Sequence, residues 1–237
     1  MGKRRRATPY NVAVFIAEMF ASLQGEGMLA GVPSYFIRTS GCNLRCAWCD
    51  TPYSSWAPEG ERVPVDELVA RAERSGLRHV VITGGEPLLQ RELEGLTRAL
   101  AARGHHVTVE TAGTVVKSFT CHLLSISPKT GNSDPDGPWQ ERHRRLRRDL
   151  GPARRLLELH REYQLKLVVS DESDIADVLE VVAALGADRE RVLLMPEGRA
   201  AAEVAARAGE VGRLCLAHGF RYSPRLHLDL FGGGRGV

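Results

Sequence analysis

The chain has 237 residues, 43% hydrophobic and 26% charged, and its 32 lysines and arginines against 29 acids leave a formal net charge of +3. Such a length carries one large domain with a real core; no apolar run reaches the roughly 18 residues that a membrane-spanning helix needs, and so small a charge is no argument for a nucleic-acid partner. Five cysteines, three of them clustered, suit metal ligation in a reducing, cytoplasmic setting better than a disulfide framework.

Met1-Gly-Lys-Arg-Arg-Arg6 is basic and runs into Ala7-Thr-Pro9, with no apolar segment behind it. Residues 1–10 therefore read as a flexible, solvated N-terminus and not as a secretory signal. Apolar, β-branched runs then alternate with helical patterns, the signature of βα units around a parallel sheet. Strands are expected at Val12–Ala17, Ser34–Arg38, His79–Thr83, His105–Glu110, His122–Ser127, Gln164–Ser170 and Arg191–Met195. Val65, Leu68, Val69 and Ala72 form one apolar helical stripe after Pro64, a residue suited to a helix start. A second helix is expected over Leu88–Ala102, ended by Gly104, with others over Ala153–Tyr163, Asp174–Leu185 and Ala200–His218. Arg225–Leu230 alternates like a half-buried strand before a glycine-rich tail. Residues 130–151 read as a loop-rich insertion from their Gly, Pro, Asn and Asp content. The eight arginines and three acids of Glu141–Arg161 read as a solvated helix face. With no internal repeat, residues 1–237 are expected to form one domain.

Chemistry concentrates in Cys42-x3-Cys46-x2-Cys49. A structural zinc site built on this run needs a fourth Cys or His from elsewhere. A 4Fe-4S cluster normally takes four thiolates, so three leave one iron open to a substrate or cosubstrate. A zinc knuckle and buried thiols remain the alternatives at this point. Further polar groups fall at the carboxyl ends of expected strands, where ligands of parallel sheets collect: Thr83-Gly-Gly-Glu-Pro87, Glu110-Thr-Ala-Gly-Thr114 and Ser127-Pro-Lys129. Glycines there let backbone approach a ligand, and Glu86 is an acceptor for an amine. Repeated hydroxyls, carboxylates and a lysine suit a polar, zwitterionic ligand.

The x3/x2 cysteine spacing, with aromatic Trp48 before the last cysteine, resembles radical S-adenosylmethionine (SAM) enzymes. Ser22-Leu-Gln-Gly-Glu-Gly27, Phe36-Ile-Arg38, the Cys42–Thr51 loop, the three strand-end motifs, Gln164-Leu-Lys-Leu-Val-Val169, Met195-Pro-Glu-Gly198 and the ending Arg225-Leu-His227 through Arg235-Gly-Val237 resemble the 7-carboxy-7-deazaguanine synthase family in particular. The arginine-rich segment after Pro138 departs from that pattern.

The resemblance implies an α/β fold, an incomplete, modified TIM-like (βα)6 partial barrel of the radical SAM type. It implies a carbon–nitrogen lyase of queuosine-type 7-deazapurine biosynthesis that contracts 6-carboxy-5,6,7,8-tetrahydropterin to 7-carboxy-7-deazaguanine with loss of ammonia, using SAM catalytically. Cys42, Cys46 and Cys49 would hold a 4Fe-4S cluster. Trp48, Cys49, Asp50, Gly85, Ser127, Pro128, Lys129, Met195, Pro196, Glu197 and Gly198 would bind SAM. Leu23, Gln24, Gly25, Arg38 and Thr83 would bind the pterin, Arg38 through its planar fork, and Thr51 would offer an oxygen to Mg2+. Glu26 and His227 are candidate proton handlers. A flavodoxin or ferredoxin electron donor and a homodimer are expected, and a nucleic-acid partner is not. Another radical SAM enzyme such as a glycyl-radical activase shares the cysteine spacing, and a zinc-dependent nucleic-acid-binding module would use the cysteines with Arg142–Arg161.

Overall fold

The computed structural model describes residues 13–236; the basic segment 1–10, Val12 and Val237 lie outside the described residues. Strand β1 (Ala13–Leu23) pairs antiparallel with β2 (Pro33–Thr39) and, through its first residues, with β3 (Glu61–Pro64). From β2 the sheet continues in parallel through β4 (His79–Gly84), β5 (His106–Thr111), β6 (Leu123–Ile126), β7 (Tyr163–Val169), β8 (Val192–Pro196) and the short β9 (Arg221–Tyr222). The order is β3-β1-β2-β4-β5-β6-β7-β8-β9, and the two ends do not pair, so the barrel is open. Helices α1 (Pro52–Ser55) and α2 (Val65–Arg74) precede β4; α3 (Leu93–Ala102) precedes β5; α4 (Gln140–Arg148) and α5 (Gly151–Leu159) precede β7. Helix α6 (Ile175–Leu185) precedes β8, α7 (Ala201–His218) precedes β9, and α8 (Leu226–Phe231) follows it. The β5–β6 connection carries no helix, which is how this partial barrel is incomplete.

Period-two alternation separates the faces of the strands. Val80 and Ile82, Val107 and Val109, Leu124 and Ile126, Leu165 and Leu167, and Val192 and Leu194 join Leu68, Leu96, Leu100, Leu156, Val178 and Val211 from the helices in one buried core. Register keeps them together: Val80 lies beside Val107, Ile82 beside Val109, and Leu167 beside Leu194. Each fully buried aliphatic side chain of this kind contributes about 1.5–3 kcal/mol. The intervening residues Thr83, Glu110, Ser125, Gln164 and Lys166 hydrogen-bond to one another or to shared partners on the other, concave face.

The expected strands match β2 and β4–β8 within a few residues, and β1 continues past the expected end at Ala17 to Leu23, while the short edge strands β3 and β9 carry too few residues to register as a pattern. The helix expected over Leu88–Ala102 is broken. A 3-10 turn at Pro87–Leu89 ends at Gln90, which is extended, and α3 starts only at Leu93. Gln90 is taken as a brace: its side chain donates to the Ser40 carbonyl (2.9 Å) and accepts from the Phe15 N–H (3.2 Å), and its own carbonyl accepts from Lys117 (2.5 Å). Tyr163, expected to close a helix, instead opens β7. Arg225–Leu230 is not a strand but the entry and body of α8, of which only Arg225 and Leu228 are buried. Arg225 is pinned at the strand mouths, and the backbone of Leu226 bonds to the Gly25 carbonyl (2.9 Å), which turns the chain away from the sheet edge. Nor is 130–151 simply a loop: two 3-10 turns at Gly131–Ser133 and Gly137–Trp139 lead into α4.

Candidate active site

The cysteine loop leaves the carboxyl end of β2 and returns into α1. It is held by backbone: Gly41 N–H donates to the Ser54 carbonyl (2.8 Å), Gly85 N–H to the Thr39 carbonyl (3.0 Å) and Glu86 N–H to the Gly41 carbonyl (2.9 Å). A Cβ on Gly85 would lie 2.3 Å from the Gly41 carbonyl oxygen and 2.4 Å from that of Ser54, so this glycine serves the approach of two loops. Glu86 is fully buried and accepts from Leu88 N–H (3.0 Å), Thr111 Oγ1 (2.7 Å) and Ala112 N–H (2.9 Å). That corrects the expectation of a glutamate reserved for a ligand amine: it braces three loops.

All three clustered cysteines are free. Burial pushes the Cys42 thiol up to about 11 and Cys46 to about 12, with the other loop cysteines adding and Lys129 opposing. Buried thiols of this kind become ligands when a metal displaces their protons. A mononuclear site with metal–sulfur bonds of about 2.3 Å needs sulfurs drawn close together. No three His, Cys, Asp or Glu converge in that way among the described residues. Three free thiols on one loop suit a four-iron cluster in which three irons each take one sulfur and the fourth stays open.

Around the loop, Trp48 Nε1 donates to Asn132 Oδ1 (3.2 Å), and Lys129 Nζ donates to Ser127 Oγ (2.8 Å) and stands 5.3 Å from the Trp48 ring centre. Ser127 is fixed by its N–H to Thr111 O (2.8 Å), and Pro128 beside it is buried. Met195 and Pro196 finish β8; Glu197 follows, tied to Arg207 (3.3 Å), and Glu197 and Trp48 line one cleft with Ala47, Ser170 and Arg199. Arg199 donates to the Ala47 carbonyl (2.8 Å), joining this segment to the cysteine loop. Thr51 Oγ1 accepts from Ser54 Oγ (3.0 Å) and lies 3.9 Å from Cys49 Sγ.

The concave face holds a second group. Lys166, 3% exposed, lies 2.8 Å from Glu26 and 3.3 Å from Glu110. Glu110 also accepts from Thr83 Oγ1 (2.8 Å) and Gln24 Nε2 (3.2 Å). Arg225 pairs with Asp50 (2.5 Å) and Glu26 (3.3 Å) and donates to the Gly198 carbonyl. Burial alone would raise the Glu26 carboxyl, but Lys166, Arg225 and His227 outweigh it and hold it well below the usual carboxylate range. For Lys166 burial is outweighed by Glu110 and Glu26, and the ammonium is held above its ordinary value. Burial dominates at His227, which is lowered despite Glu26 and Asp50. A Cβ on Gly25 would come within 2.0 Å of His227 Nδ1, so that glycine makes room for the imidazole. Leu23 closes β1 opposite Pro33.

Arg38 stands differently from expectation. Its Nε is 2.6 Å from Glu18 Oε1, which also accepts from Tyr53 OH (2.6 Å). Only the terminal nitrogens of its fork are left for a substrate carboxylate. Thus Gln24, Gly25, Glu26, Asp50, Thr83 and His227 come together on the inner wall, and Trp48, Lys129, Glu197 and Gly198 gather around the cysteine loop and its neighbouring cleft. Glu110 stood in a strand-end motif without a role of its own, and Glu18, Lys166 and Arg225 were missed as site residues. Glu18 and Lys166 did carry a signal, a lone charge inside an apolar strand run; Asn132 and His143, which brace the cysteine loop, carried none.

The Radical SAM superfamily profile matches residues 36–191. The 7-carboxy-7-deazaguanine synthase of Halobacterium salinarum is 44% identical, the match covering 92% of this chain and 91% of that protein. The Rhodopirellula baltica protein of the same name is 40% identical, covering 95% and 89%. A crystal structure of QueE from Escherichia coli superposes with a TM-score of 0.68 at 30% identity, covering 91% of this chain and 95% of that one. Sequence and fold therefore agree that the chain belongs to the radical SAM superfamily and, within it, to the 7-carboxy-7-deazaguanine synthases.

Proposed function

We propose that this chain catalyses the radical SAM ring contraction of 6-carboxy-5,6,7,8-tetrahydropterin to 7-carboxy-7-deazaguanine, with loss of ammonia and SAM used catalytically. The observation that supports it best is the ion-paired constellation of Glu26, Glu110, Lys166 and Arg225 at the strand ends, joined through Asp50 to a loop of three free thiols. Cys42, Cys46 and Cys49 would hold a 4Fe-4S cluster, which would supply the one-electron reduction of SAM on which radical chemistry depends. The protein's own residues orient and exclude. Trp48, Lys129 and Ser127 line the SAM side with Asp50, Gly85, Pro128 and the Met195–Gly198 turn, and the concave wall seats the pterin so that one C–H bond meets the radical.

Arg38 offers the free edge of its guanidinium to the substrate carboxylate, with Leu23, Gln24, Gly25 and Thr83 along the pterin. His227 stays neutral near pH 7 and is placed to accept a proton as ammonia leaves, while Glu26, held ionised by Lys166 and Arg225, sets the charge beside it. Thr51 would offer its hydroxyl oxygen to a Mg2+ ion, which would supply positive charge beside the substrate. The whole chain acts as one domain and as a homodimer in a reducing compartment, and takes electrons from a small redox protein of the flavodoxin or ferredoxin type. No helix among the described residues is long and apolar enough to cross a membrane.

The test is an anaerobic reaction of reconstituted protein with SAM, a low-potential reductant, magnesium and the carboxypterin, followed by mass spectrometry. Deazaguanine acid formed without stoichiometric loss of SAM is expected. If 5′-deoxyadenosine accumulates over an untouched pterin, the substrate is wrong; if neither forms on an intact cluster, the enzyme reading fails. Sedimentation as a monomer at micromolar concentration would remove the dimer.

A further inference from the structure

The arginine-rich helix beside the cysteine loop is not used by the ring contraction. Two of its arginines are neutralised within the fold: Arg144 and Arg147 each lie 2.6 Å from Asp134. Its one buried residue, His143, turns inward and accepts from Arg45 N–H (3.1 Å). On the outer face Arg142 and Arg145, one helical turn apart, are exposed and have no carboxylate partner among the described residues. Glu141 is the acid that shares this side of α4.

This charge is fastened to the cysteine loop. Trp139, at the head of α4, has the Arg142 guanidinium 5.7 Å from its ring centre and the Arg45 guanidinium at 4.6 Å. Arg45 also donates to the carbonyls of Cys42 (2.8 Å) and Leu44 (2.7 Å). Its covalent neighbour Cys46 offers its carbonyl to the indole N–H of Trp56 (3.0 Å), a residue 38% exposed. Two indoles and unpaired guanidinium groups therefore flank the stretch of backbone that carries one of the three cluster thiols.

We propose that the Arg45–Trp139–Arg142–Arg145 face is the docking surface for a small acidic protein carrying a low-potential one-electron centre. The inference rests on the iron–sulfur reading of the cysteine loop. In the step served, the carrier is oxidised by one electron, the cluster is reduced by one electron, and no atom or proton moves. Electron transfer weakens steeply with distance, so a carrier has to sit against the loop, and an unpaired basic face there steers an acidic partner and fixes its orientation. Arg142 and Arg145 are free of carboxylates among the described residues at the place where electrons must enter, whereas Arg144 and Arg147 share Asp134.

The test is the double charge reversal R142E/R145E in the reconstituted holoenzyme, measured against an acidic flavodoxin. Affinity for the oxidised carrier is read by calorimetry, bleaching of the cluster absorbance by the reduced carrier in stopped flow, and turnover with dithionite in parallel. The affinity and the bleaching rate at low carrier concentration are expected to fall at least about tenfold at low salt, and the two proteins to converge at roughly 0.5 M salt, where the charges are screened. Dithionite-driven turnover stays within about twofold, since exposed substitutions away from the site act weakly. Unchanged carrier affinity overturns the proposal. So does a parallel loss with dithionite, which would make these arginines braces of the loop, and so does loss of RNA retention with carrier affinity intact, which would make the face a polyanion site. Failure of the ring-contraction reading would appear separately, as absent turnover with dithionite in the unmodified protein.

Discussion

Replacing Lys166 by Met removes the ammonium that sits 2.8 Å from Glu26 and 3.3 Å from Glu110 and keeps a side chain of similar length. The lysine side chain is 4% exposed and the carboxylates 16% and 19%, so solvent does little to screen the loss. Breaking a buried pair by removing one partner costs about 3–5 kcal/mol. At about 2–4 °C per kcal/mol for a chain of this size, the melting midpoint should fall by about 6–20 °C.

The pH dependence follows from the signs. Glu26 has a depressed carboxyl in the fold, so its contribution is present above the unfolded value of about 4.3 and is lost as pH falls through the lower folded one. Lys166 is raised, so its contribution is present below about 10.4 and is lost as pH climbs through the higher folded value. Around neutrality both are fully expressed. In the Met variant, burial works on Glu26 with only Arg225 and His227 against it, its pKa rises, and protonation relieves the buried charge. The deficit should therefore be largest near pH 8 and shrink toward pH 5, and the double variant Lys166→Met/Glu26→Gln should recover part of it. Far-UV circular dichroism melts of the unmodified protein and the two variants across that range are the assay. A midpoint loss under about 2 °C, or a loss identical at both pH values, would refute the electrostatic account of this wall.

Arg38→Lys keeps the charge and removes the fork, so the KM for the pterin should rise about tenfold with a smaller change in kcat, as steady-state kinetics will show. In Gly25→Ala the new methyl meets His227 Nδ1 at 2.0 Å; turnover should drop about 10²-fold from displacement of the imidazole, while iron content stays at the wild-type level. His143→Ala leaves the Arg45 N–H without its acceptor and the Ser133 hydroxyl with only the Thr130 carbonyl, at a cost of about 1–3 kcal/mol, and iron should be lost faster to a chelator at unchanged turnover per cluster. Burial holds His143 down at about 4 from 6.5, so this residue favours folding fully above pH 6.5 and increasingly opposes it as pH drops toward 4. That acid-side slope should flatten in the alanine variant when melts are compared between those limits.

The parallel sheet was legible because its strands are short, β-branched and leucine-rich segments bounded by turn residues, as in His79–Gly84 and Tyr163–Val169. The cysteine loop was legible because its ligands are local. What escaped the sequence depends on distant partners. Gln90 breaks a helix that its own neighbours favour, because Ser40, Phe15 and Lys117 claim its polar atoms. Arg225-Leu-His-Leu-Asp-Leu230 has the period of a strand, yet Arg225 is held by Asp50 and Glu26, and no sheet edge is offered to the leucines. Arg38 read as a free fork, because nothing in its own segment reveals that antiparallel pairing puts Glu18 opposite it.

Arg225 touches Asp50 beside the last cysteine, Glu26 after β1 and the Gly198 carbonyl after β8, and the first of these contacts spans 175 positions of the chain. During synthesis, therefore, the three thiols and most of the sheet emerge before the residue that locks them to the substrate wall. A chain stopped at Ser223 keeps all nine strands and should retain sheet dichroism and take up iron, yet leave Asp50 and Glu26 without their shared cation. Maturation of the metal centre is thereby separable in time from completion of the reaction chamber, and a pulse of iron incorporation into that shorter chain would register the first event without the second.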